Sequence, residues 1–302
     1  MRWIAVLLFA ACDSAAPPTV CDGHAELCAR TYDQVAFPGT HDAYASVANG
    51  VYAHDQTYSL TRQMTDGVRV LHIEILPFNG SPWLCHGVCG LGGQSLVSAL
   101  QEVKTFVDAN PTEIVTLLTE SSEITTDQIA ADFDTADVKK YTHAHTLGDA
   151  WPTLGAMIER GERVVVFHAD NSSSGGSTFD WMLDRFAWTW ETPWDNETPV
   201  DFGRCDADRG TKGSSIYVVD TYLENLLVET PDNAALTNDD PFLVDRLLHC
   251  KQVEGVSPSF VMVNFYEVGD LFHVVDVLNG LAPEPSDDLS TFPPSSFDAG
   301  AD

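Results

Sequence analysis

Short runs of β-branched and other apolar residues alternate along the chain with stretches in which apolar residues recur at helical spacing. In one such stretch, residues 95–109, Leu96 and Leu100 begin an apolar helix face. This alternation is typical of parallel strands joined by crossover helices. The predicted strands are 34–37, 68–76, 113–120, 163–168, 215–220 and 260–266, and the predicted helices are 95–109, 178–190 and 241–250.

The pattern predicts a single α/β domain of the TIM type, a somewhat irregular (β/α)8 barrel. No linker rich in glycine, proline or serine interrupts residues 21–282, which we take as that domain. The pattern shows six strands, so two strands of a complete barrel remain to be found. A doubly wound sheet is the alternative, but no glycine-rich turn follows the first predicted strand to favour it.

Both ends of the chain have the composition of segments outside a folded domain. Residues 1–11 combine a positive start with a short apolar run, which predicts an export signal. The run ends Leu8-Phe9-Ala10-Ala11-Cys12, which resembles the lipobox of bacterial lipoproteins, so residues 12–20 would form a tether with a lipid on Cys12. An ordinary cleaved secretory signal is the alternative, and either interpretation predicts export, as a periplasmic or cell-surface lipoprotein or in secreted form. Residues 283–302, rich in proline, serine and aspartate, predict a disordered acidic tail.

The charge balance excludes several classes of partner. The 302 residues include 45 acidic and 15 basic side chains, for a formal net charge of −30. Nucleic-acid binding is excluded because phosphate groups require a basic face. Attraction to an anionic membrane surface is disfavoured for the same reason, unless metal ions or a lipid anchor intervene. We expect the domain to be a monomer.

The cysteine count predicts disulfide bonds. Without Cys12 six cysteines remain, an even number that indicates disulfides in an exported chain. Local spacing favours the pairs Cys21–Cys28 and Cys85–Cys89, which leaves Cys205–Cys250 as the third pair. A zinc site at Cys85 and Cys89, with His86 between them, is the alternative.

Polar residues cluster at the carboxyl ends of the predicted strands, where barrel enzymes keep their active sites. His41 and Asp42 follow the first strand. Period-two alternation on the second strand assigns Val68, Val70, His72 and Glu74 to the face that points into the barrel, and Arg69, Leu71, Ile73 and Ile75 to the other face. Two polar residues on an inward face are unfavourable unless they bind a ligand or form hydrogen bonds.

Two further polar residues map to the same rim. His86 follows the second strand, and Glu120 ends the third. Glu120 could instead cap the next loop, which would make Glu123 the rim carboxylate. Arg69 lies on the outer face, where a structural ion pair is the simpler interpretation. Further pocket candidates at strand ends are His168, Asp170 and Asp220.

Four segments around these residues form an ordered set: Pro38-Gly39-Thr40-His41-Asp42, Asp66-Gly67-Val68-Arg69-Val70-Leu71, Leu84-Cys85-His86-Gly87 and Asn110-Pro111-Thr112-Glu113-Ile114-Val115. In order and spacing they resemble the phosphatidylinositol-specific phospholipase C X-domain family, and most of all its exported branch of PLC-like phosphodiesterases. Further matches to that branch are Trp151-Pro152-Thr153-Leu154-Gly155, Trp190-Glu191-Thr192-Pro193-Trp194 and Asn264-Phe265-Tyr266-Glu267-Val268-Gly269-Asp270. Each motif is weak by itself, but the ordered set is a strong resemblance.

The resemblance implies an irregular TIM barrel and a mechanism with two histidines. His41 would be the general base that deprotonates the attacking hydroxyl, and His86 would be the general acid that protonates the leaving oxygen. A cation must stabilise the charge on the phosphate. Family members supply either an arginine on the second strand or a calcium ion held by carboxylates.

The expected cofactor is a divalent metal, with calcium as the first candidate. Glu74 stands at the position of the family's arginine, while Asp42 and Glu120 stand at positions of calcium ligands. An all-oxygen set of this kind suits a hard cation. His72 departs from the pattern, because calcium-dependent members carry a carboxylate there. It could support a ligand, or it could be one and shift the site towards zinc or manganese.

The sequence therefore predicts an exported phosphoric diester hydrolase or lyase that acts on a phosphoinositide or another phosphodiester. By resemblance, the inositol 2-hydroxyl would attack phosphorus, diacylglycerol would leave and a cyclic phosphate would form. A glycerophosphodiester phosphodiesterase is one alternative, although its usual His-Arg-Gly start is missing because Asp42 and Ala43 follow His41. The other is a catalytically silent surface lipoprotein that uses the barrel as a binding module, which the departure at His72 keeps open.

Overall fold

The computed structural model describes residues 17–170, 179–224, 229–285 and 289–297, so the predicted export signal and Cys12 lie outside the described residues. The strands are β1 Phe37–Thr40, β2 Val70–Phe78, β3 Ser81–Leu84, β4 Gln94–Ser95, β5 Val115–Ser121, β6 Val164–Asp170, β7 Met182–Asp184, β8 Thr189–Glu191, β9 Arg209–Gly210, β10 Ile216–Asp220 and β11 Phe260–Val263. The α-helices are α1 Leu60–Asp66, α2 Leu96–Ala109, α3 Thr126–Thr135, α4 Leu154–Arg160, α5 Arg185–Trp188, α6 Pro231–Asn238, α7 Phe242–Glu254 and α8 Leu271–Leu278. None of the described helices is both long enough and apolar enough to cross a membrane.

Eight of the strands form a curled parallel sheet with the strand order of a (β/α)8 barrel. The order across the sheet is β7-β6-β5-β2-β1-β11-β10-β8, and every neighbouring pair is parallel. Starting at β1 and going around, the strands follow their order in the chain, which excludes the doubly wound alternative. Within the described ranges no pairing joins β7 to β8, so the barrel is open there. The predicted TIM-type α/β fold is confirmed.

The two strands that the pattern did not show overlap the predicted helix 178–190, and the second ends one residue beyond it, at Glu191. The described part of this segment forms β7, the single-turn helix α5 and then β8, so the predicted long helix is wrong. Its apolar residues are divided between two environments, since Met182 packs outside the sheet and Leu183 packs inside it. Strands of three residues are too short for period-two alternation to be distinguished from one helical turn. The first strand also begins later than predicted, at Phe37, because Tyr32–Gln34 form a 3-10 turn.

Alternation along the strands separates two apolar clusters. Residues that point into the barrel include Val70, Leu118, Phe167, Val218 and Met262. Residues that pack between the strands and the helices include Leu71, Ile73, Ile75, Leu117, Val166, Val219 and Val263. The predicted faces of β2 are therefore observed, except at Val68, which precedes the strand and packs in the outer cluster.

The structure contains all three favoured disulfides, Cys21–Cys28, Cys85–Cys89 and Cys205–Cys250. Because Cys85 and Cys89 are bonded to each other, they do not offer the thiolates that a zinc site would require.

Part of the predicted disordered tail packs against the domain. The rings of Phe292 and Phe297 each lie 5.5 Å from the ring of Phe242 at the start of α7. Phe297 also approaches Phe202 at 6.2 Å. Phe292 and Phe297 therefore contact the domain in the described structure, and disorder of the tail stays a prediction.

Candidate active site

The end of β1 places a histidine and an aspartate at the rim of the barrel. The backbone N–H of His41 donates to the carbonyl of Val263 at 3.0 Å, which extends the β1–β11 pairing by one residue. Asp42 then adopts a left-handed conformation with φ of 39°, which aspartate tolerates better than most residues. This turn buries the Asp42 carboxylate beside the inward face of β2.

The inward face of β2 supplies His72 and Glu74. Nδ1 of His72 lies 3.1 Å from Oδ1 of Asp42. Its Nε2 is buried, has no hydrogen-bond partner within the described part of the chain and lies 3.9 Å from Oε1 of Glu120. Parallel pairing of β2 with β5 sets Glu74 opposite Glu120, and the Tyr44 hydroxyl donates to Glu74 Oε2 at 3.5 Å.

The loop after β3, closed by the Cys85–Cys89 disulfide, carries His86. Nδ1 of His86 donates to the carbonyl oxygen of Ala53 at 2.8 Å and lies 3.5 Å from Oδ2 of Asp55. Asp55 is buried, and none of the described residues forms a hydrogen bond with its Oδ2. These contacts direct Nε2 of His86 towards Asp42, whose Oδ2 lies 3.8 Å away.

His41 faces the same carboxylate from the other side. Its Nδ1 lies 3.0 Å from the amide oxygen of Asn264, which can only accept, so Nδ1 carries the hydrogen and Nε2 carries the lone pair. The ring stacks on Tyr222 with 4.0 Å between centroids and on His72 with 5.3 Å. Nε2 of His41 lies 3.8 Å from Oδ2 of Asp42, so both imidazoles aim Nε2 at one oxygen.

The two imidazoles have opposite pKa shifts. Burial lowers the pKa of His41 to about 4, so this ring is neutral at pH 7. Burial also opposes charge on His86, but the carboxylates of Asp42 and Asp55 outweigh it and raise the pKa of His86. Burial would raise the pKa of Asp42, yet the surrounding imidazoles hold it below its usual range. A neutral base and a proton donor therefore flank one ionised carboxylate.

Two other carboxyl groups near Asp42 have raised pKa values. Burial, with repulsion from Asp42, raises the pKa of Glu74 to about 6 and raises the pKa of Asp55 well above its usual range. Two sets of possible metal ligands have their ligand atoms within 4.8 Å of one another, His41 with Asp42 and His72, and Asp42 with Asp55 and His86. Neither set includes Glu74 or Glu120, but the close grouping of Asp42 with these ligand atoms and the buried Nε2 of His72, which has no hydrogen-bond partner among the described residues, both fit a divalent cation.

Glu120 lies at the rim as predicted, but two arginines already compensate its charge. Its Oε2 lies 3.4 Å from Nη1 of Arg185 and 3.8 Å from Nη1 of Arg209. Both arginines also contact Glu191, Arg185 at 2.6 Å and Arg209 at 2.8 Å, so the cluster links β5 to β8 on the side where the barrel is open. Glu123, the alternative carboxylate, is exposed. Glu120 therefore is the weakest of the three predicted metal ligands.

The other predicted pocket residues divide between the two faces of the sheet. His168 lies on the outer face of β6, where its Nδ1 is 2.8 Å from the hydroxyl of Thr119 and its Nε2 is 3.3 Å from that of Ser121. It is therefore a structural histidine, and placing it in the pocket was wrong. Asp220 does lie at the inner rim, where burial raises its pKa to about 6.

Sequence reasoning missed several residues of the site, namely Asp55, Asn264, Tyr222, Arg185 and Arg209. A signal for Asn264 was present, because alternation along β11 places it on the same face as Phe260 and Met262. Asp55 had no such signal, since it lies in an irregular segment between β1 and α1.

Comparison with known proteins gives consistent matches. A family model described as PI-PLC X matches residues 27–279. The chain is 31% identical over 303 residues to "PI-PLC X domain-containing protein 1" of Arthroderma benhamiae, covering 92% of this chain and 97% of that protein. An "Uncharacterized secreted protein" of the same organism is 27% identical, covering 86% of this chain and 64% of that protein. A PI-PLC X domain-containing protein of Arabidopsis thaliana is 26% identical, covering 80% and 61% respectively.

Solved structures with the same fold include two bacterial phosphatidylinositol-specific phospholipases C. The enzyme from Listeria monocytogenes matches with a TM-score of 0.52 and 14% identity, covering 83% of this chain and 94% of that chain. A structure of the enzyme from Staphylococcus aureus matches with a TM-score of 0.51 and 15% identity, covering 83% and 94%. At these identities the likeness concerns the fold alone.

Proposed function

The chain belongs to the PI-PLC X family, and on that premise we propose that it is an exported phosphoric diester hydrolase or lyase. The phosphate group of its substrate would lie between the side chains of His41 and His86 during cleavage. One observation carries the proposal: Nε2 of each histidine lies 3.8 Å from Oδ2 of Asp42. The two nitrogens are thus separated by no more than about twice that distance, so that both can reach oxygens of one phosphate group.

Each histidine has the protonation state that its role requires. Nε2 of His41 would accept the proton of the attacking hydroxyl, because its Nδ1–H is already donated to Asn264. As the hydroxyl oxygen bonds to phosphorus, the bond from phosphorus to the leaving alcohol breaks, and Nε2–H of His86 protonates the departing oxygen. The rings end this step with exchanged protonation states, so the same pair can act in the opposite sense when water opens a cyclic product.

The proposed substrate is a phosphoinositide or another phosphodiester whose head group carries hydroxyls. Support comes from polar groups at the inner rim. The side chain of Arg209 is partly exposed there, and its buried Nε has no hydrogen-bond partner among the described residues. Oδ2 of the buried Asp220 carboxyl accepts no hydrogen bond from the residues that the structure describes. A donor and an acceptor of this kind suit the hydroxyls of a polyol.

We propose that a divalent cation, with calcium as the first candidate, is held by Asp42 and Glu74, with Glu120 and His72 beside them. Support comes from the raised pKa of Glu74, which a bound cation would lower again. When bound, the cation would stabilise the negative charge that grows on the phosphate oxygens. A nitrogen ligand from His72 would favour zinc or manganese over calcium, so the metal must be identified directly.

Export is supported by two observations. The three disulfides are of the kind that form in oxidising compartments. One relative is named a secreted protein. A lipid on Cys12 and a monomeric state remain parts of the proposal.

The proposed chemistry is tested with the purified protein on phosphatidylinositol and phosphatidylcholine micelles, with calcium, with zinc or manganese, and with chelator. We expect metal-dependent release of a phosphorylated head group. His41→Ala and His86→Ala should each lower kcat by roughly 100- to 10,000-fold, whereas His24→Ala, at a half-exposed histidine that faces Asp276, should not. Near-normal turnover in either site variant would refute the assigned roles. Absence of turnover on all phosphodiesters tested would favour the catalytically silent binding module.

A further inference from the structure

Two histidines at the amino ends of the barrel strands take no part in the proposed phosphodiester chemistry. The chain reads His143-Ala144-His145, and the backbone N–H of His143 donates to the carbonyl of Val164, the first residue of β6, at 2.8 Å. The candidate active site lies at the other, carboxyl ends of the strands. The seven residues of β6 separate these two ends by on the order of 20 Å.

The rings of these histidines lie against aromatic side chains. His145 stacks on Trp151 with 4.2 Å between centroids and lies 4.9 Å from Trp188, while His143 lies 5.6 Å from Trp151. Both indoles belong to the apolar cluster inside the barrel. The backbone N–H of His145 donates to the carbonyl of Asp180, two residues before β7, and Trp188 directly precedes β8. The histidines therefore lie at the lower end of the gap between β7 and β8.

The Nε2 atoms of both rings are buried, and neither forms a hydrogen bond with a described residue. His143 is 2% exposed, and its Nδ1 donates to Oε2 of Glu162 at 2.8 Å, so its Nε2 carries the lone pair of the neutral ring. Burial lowers the pKa of both histidines, so both are neutral at pH 7. Two buried ring nitrogens without partners are unfavourable unless a ligand is bound to them.

The separation of the two rings fits a metal ion bound by both. Ala144 between them is exposed, as the alternation of an extended segment requires when the flanking side chains share the inner face. The ring centroids are 5.2 Å apart. A tetrahedral ion held by two imidazole nitrogens at about 2.0–2.1 Å would set the centroids about 5 Å apart. Glu162 supplies the carboxylate that commonly accepts from a metal-binding histidine and orients its ring.

We propose that His143 and His145 bind a divalent transition-metal ion of the zinc, nickel or copper type at the amino ends of the strands. Two imidazole ligands favour such ions over calcium. This site is separate from the cation proposed at Asp42 and Glu74, and it does not depend on the proposed phosphodiesterase activity. The described residues place no third ligand atom within 4.8 Å of both imidazoles, so water would complete the coordination.

Equilibrium dialysis of the full chain, first freed of metal with chelator, measures Zn²⁺ binding at pH 7. His145→Ala should lower the affinity of this site at least about tenfold. Glu162→Gln keeps an acceptor for Nδ1 of His143 but removes its charge, and it should lower the affinity about 10- to 100-fold. His249→Ala is the matched control, because burial also lowers the pKa of this histidine and its ring lies 5.2 Å from Phe292. It should change the affinity less than about twofold.

Tryptophan fluorescence shows where the ion binds. Cu²⁺ held by His145 would lie beside Trp151 and Trp188 and should quench their emission. The quenching should be lost in His145→Ala and retained in His249→Ala and in His72→Ala, which removes an imidazole of the candidate active site. Circular dichroism shows whether the variants are folded, and Glu162→Gln, at a partly exposed side chain, decides if His145→Ala is not.

Three results would overturn the proposal. The first is a parent chain that binds no Zn²⁺ when His72 is replaced, because the ion would then belong to the candidate active site. The second is an equal loss of affinity in the His145 and His249 variants, which would indicate unspecific binding to imidazoles. The third is full affinity and quenching in both His145→Ala and Glu162→Gln. None of these results bears on cleavage of a phosphodiester, so the two proposals can fail separately.

Discussion

The amide oxygen of Asn264 accepts a hydrogen bond from Nδ1 of His41 at 3.0 Å. Since an amide oxygen cannot donate, this contact selects the neutral tautomer of His41 with its lone pair on Nε2. An aspartate in the same place would favour the imidazolium instead. The choice of an uncharged partner, together with burial, keeps His41 in the form that can accept a proton at neutral pH.

The pH dependence of kcat/KM should be broad and bell-shaped. Activity requires neutral His41, so it should fall at low pH through the pKa of about 4 that burial gives this ring. Activity also requires protonated His86, so it should fall at high pH through a pKa above 6.5, because Asp42 and Asp55 favour the charged ring. Rates measured on a soluble phosphodiester across this range check both limbs. An acid limb between pH 6 and 7 would contradict the assignment of His41.

Replacement of Asn264 separates charge from hydrogen bonding. Asn264→Asp should move the acid limb of kcat/KM to higher pH, because a carboxylate at 3.0 Å from Nδ1 stabilises the His41 imidazolium. Asn264→Leu should leave that limb near its original pH and lower the plateau about 10- to 100-fold, because the tautomer is no longer selected. Equal profiles in the two variants would mean that the contact is merely structural.

Asp55 should matter for the leaving group and not for the attack. It lies 3.5 Å from Nδ1 of His86, so Asp55→Asn should weaken the orientation and charge of the proton donor. We expect kcat to fall about 10- to 100-fold for an alkyl leaving group, which needs a proton. For a p-nitrophenyl leaving group, which departs as a stable anion, the loss should be less than about threefold.

Asp22→Asn is the matched control for Asp55→Asn. Asp22 is also a buried aspartate whose pKa burial raises to about 7, but it contacts Arg69 and Glu113 away from His86. Its replacement can change stability, yet it should affect both leaving groups equally. A similar loss on both substrates with Asp55→Asn would reject its role in orienting His86.

Geometry explains which parts of the site could be predicted from the sequence. Period-two alternation is fixed by the strand, so the residue pattern alone was enough to place His72 and Glu74 inside the barrel. Parallel strands end at the same rim, and this placed Glu120 near them. Their positions after the first and second strands also placed His41, Asp42 and His86 at this rim, and the resemblance supplied their roles.

The residues that were missed depend on tertiary contacts without a local pattern. Asp55 reaches His86 from an irregular segment, through backbone hydrogen bonds to Ala45 and Phe265. Arg185 directly follows β7, and Arg209 follows β8 later in the chain. These three-residue strands are the shortest of the barrel, and the sequence pattern predicted a helix in their place. Pairing of β8 with β9 sets Arg209 opposite Glu191, a register that no periodicity in the sequence reveals.

His72 should control which metal the site prefers. His72→Glu adds a hard oxygen ligand with negative charge in place of an imidazole. Calcium should therefore raise the unfolding temperature more in this variant than in the parent chain, and zinc or manganese should raise it less. Glu74→Gln should reduce the calcium shift in both backgrounds. Unchanged calcium shifts in both variants would place the cation elsewhere.

Arg69 should be important for stability and not for catalysis. Its guanidinium contacts Asp22 at 3.2 Å and Glu113, and it donates to the carbonyls of Met64 and Val68. Arg69→Met leaves buried carboxylates unpaired, so the free energy of unfolding should fall by about 3–5 kcal/mol.

The pH dependence of this loss identifies its cause. Burial raises the pKa of Asp22 to about 7, while Arg69 opposes the rise. Without Arg69 the pKa of Asp22 should rise further, so Asp22 in the folded variant stays protonated at pH values where it is ionised in the folded parent. Stability that depends on a raised carboxyl pKa declines as pH increases towards that pKa. The variant should therefore lose more stability at pH 8 than at pH 6 when urea unfolding is compared with the parent. Arg62→Met, which removes an exposed ion pair with Asp66, should change the free energy of unfolding little at either pH. An equal loss of stability in the Arg62 and Arg69 variants would show that Arg69 forms no more than a surface ion pair.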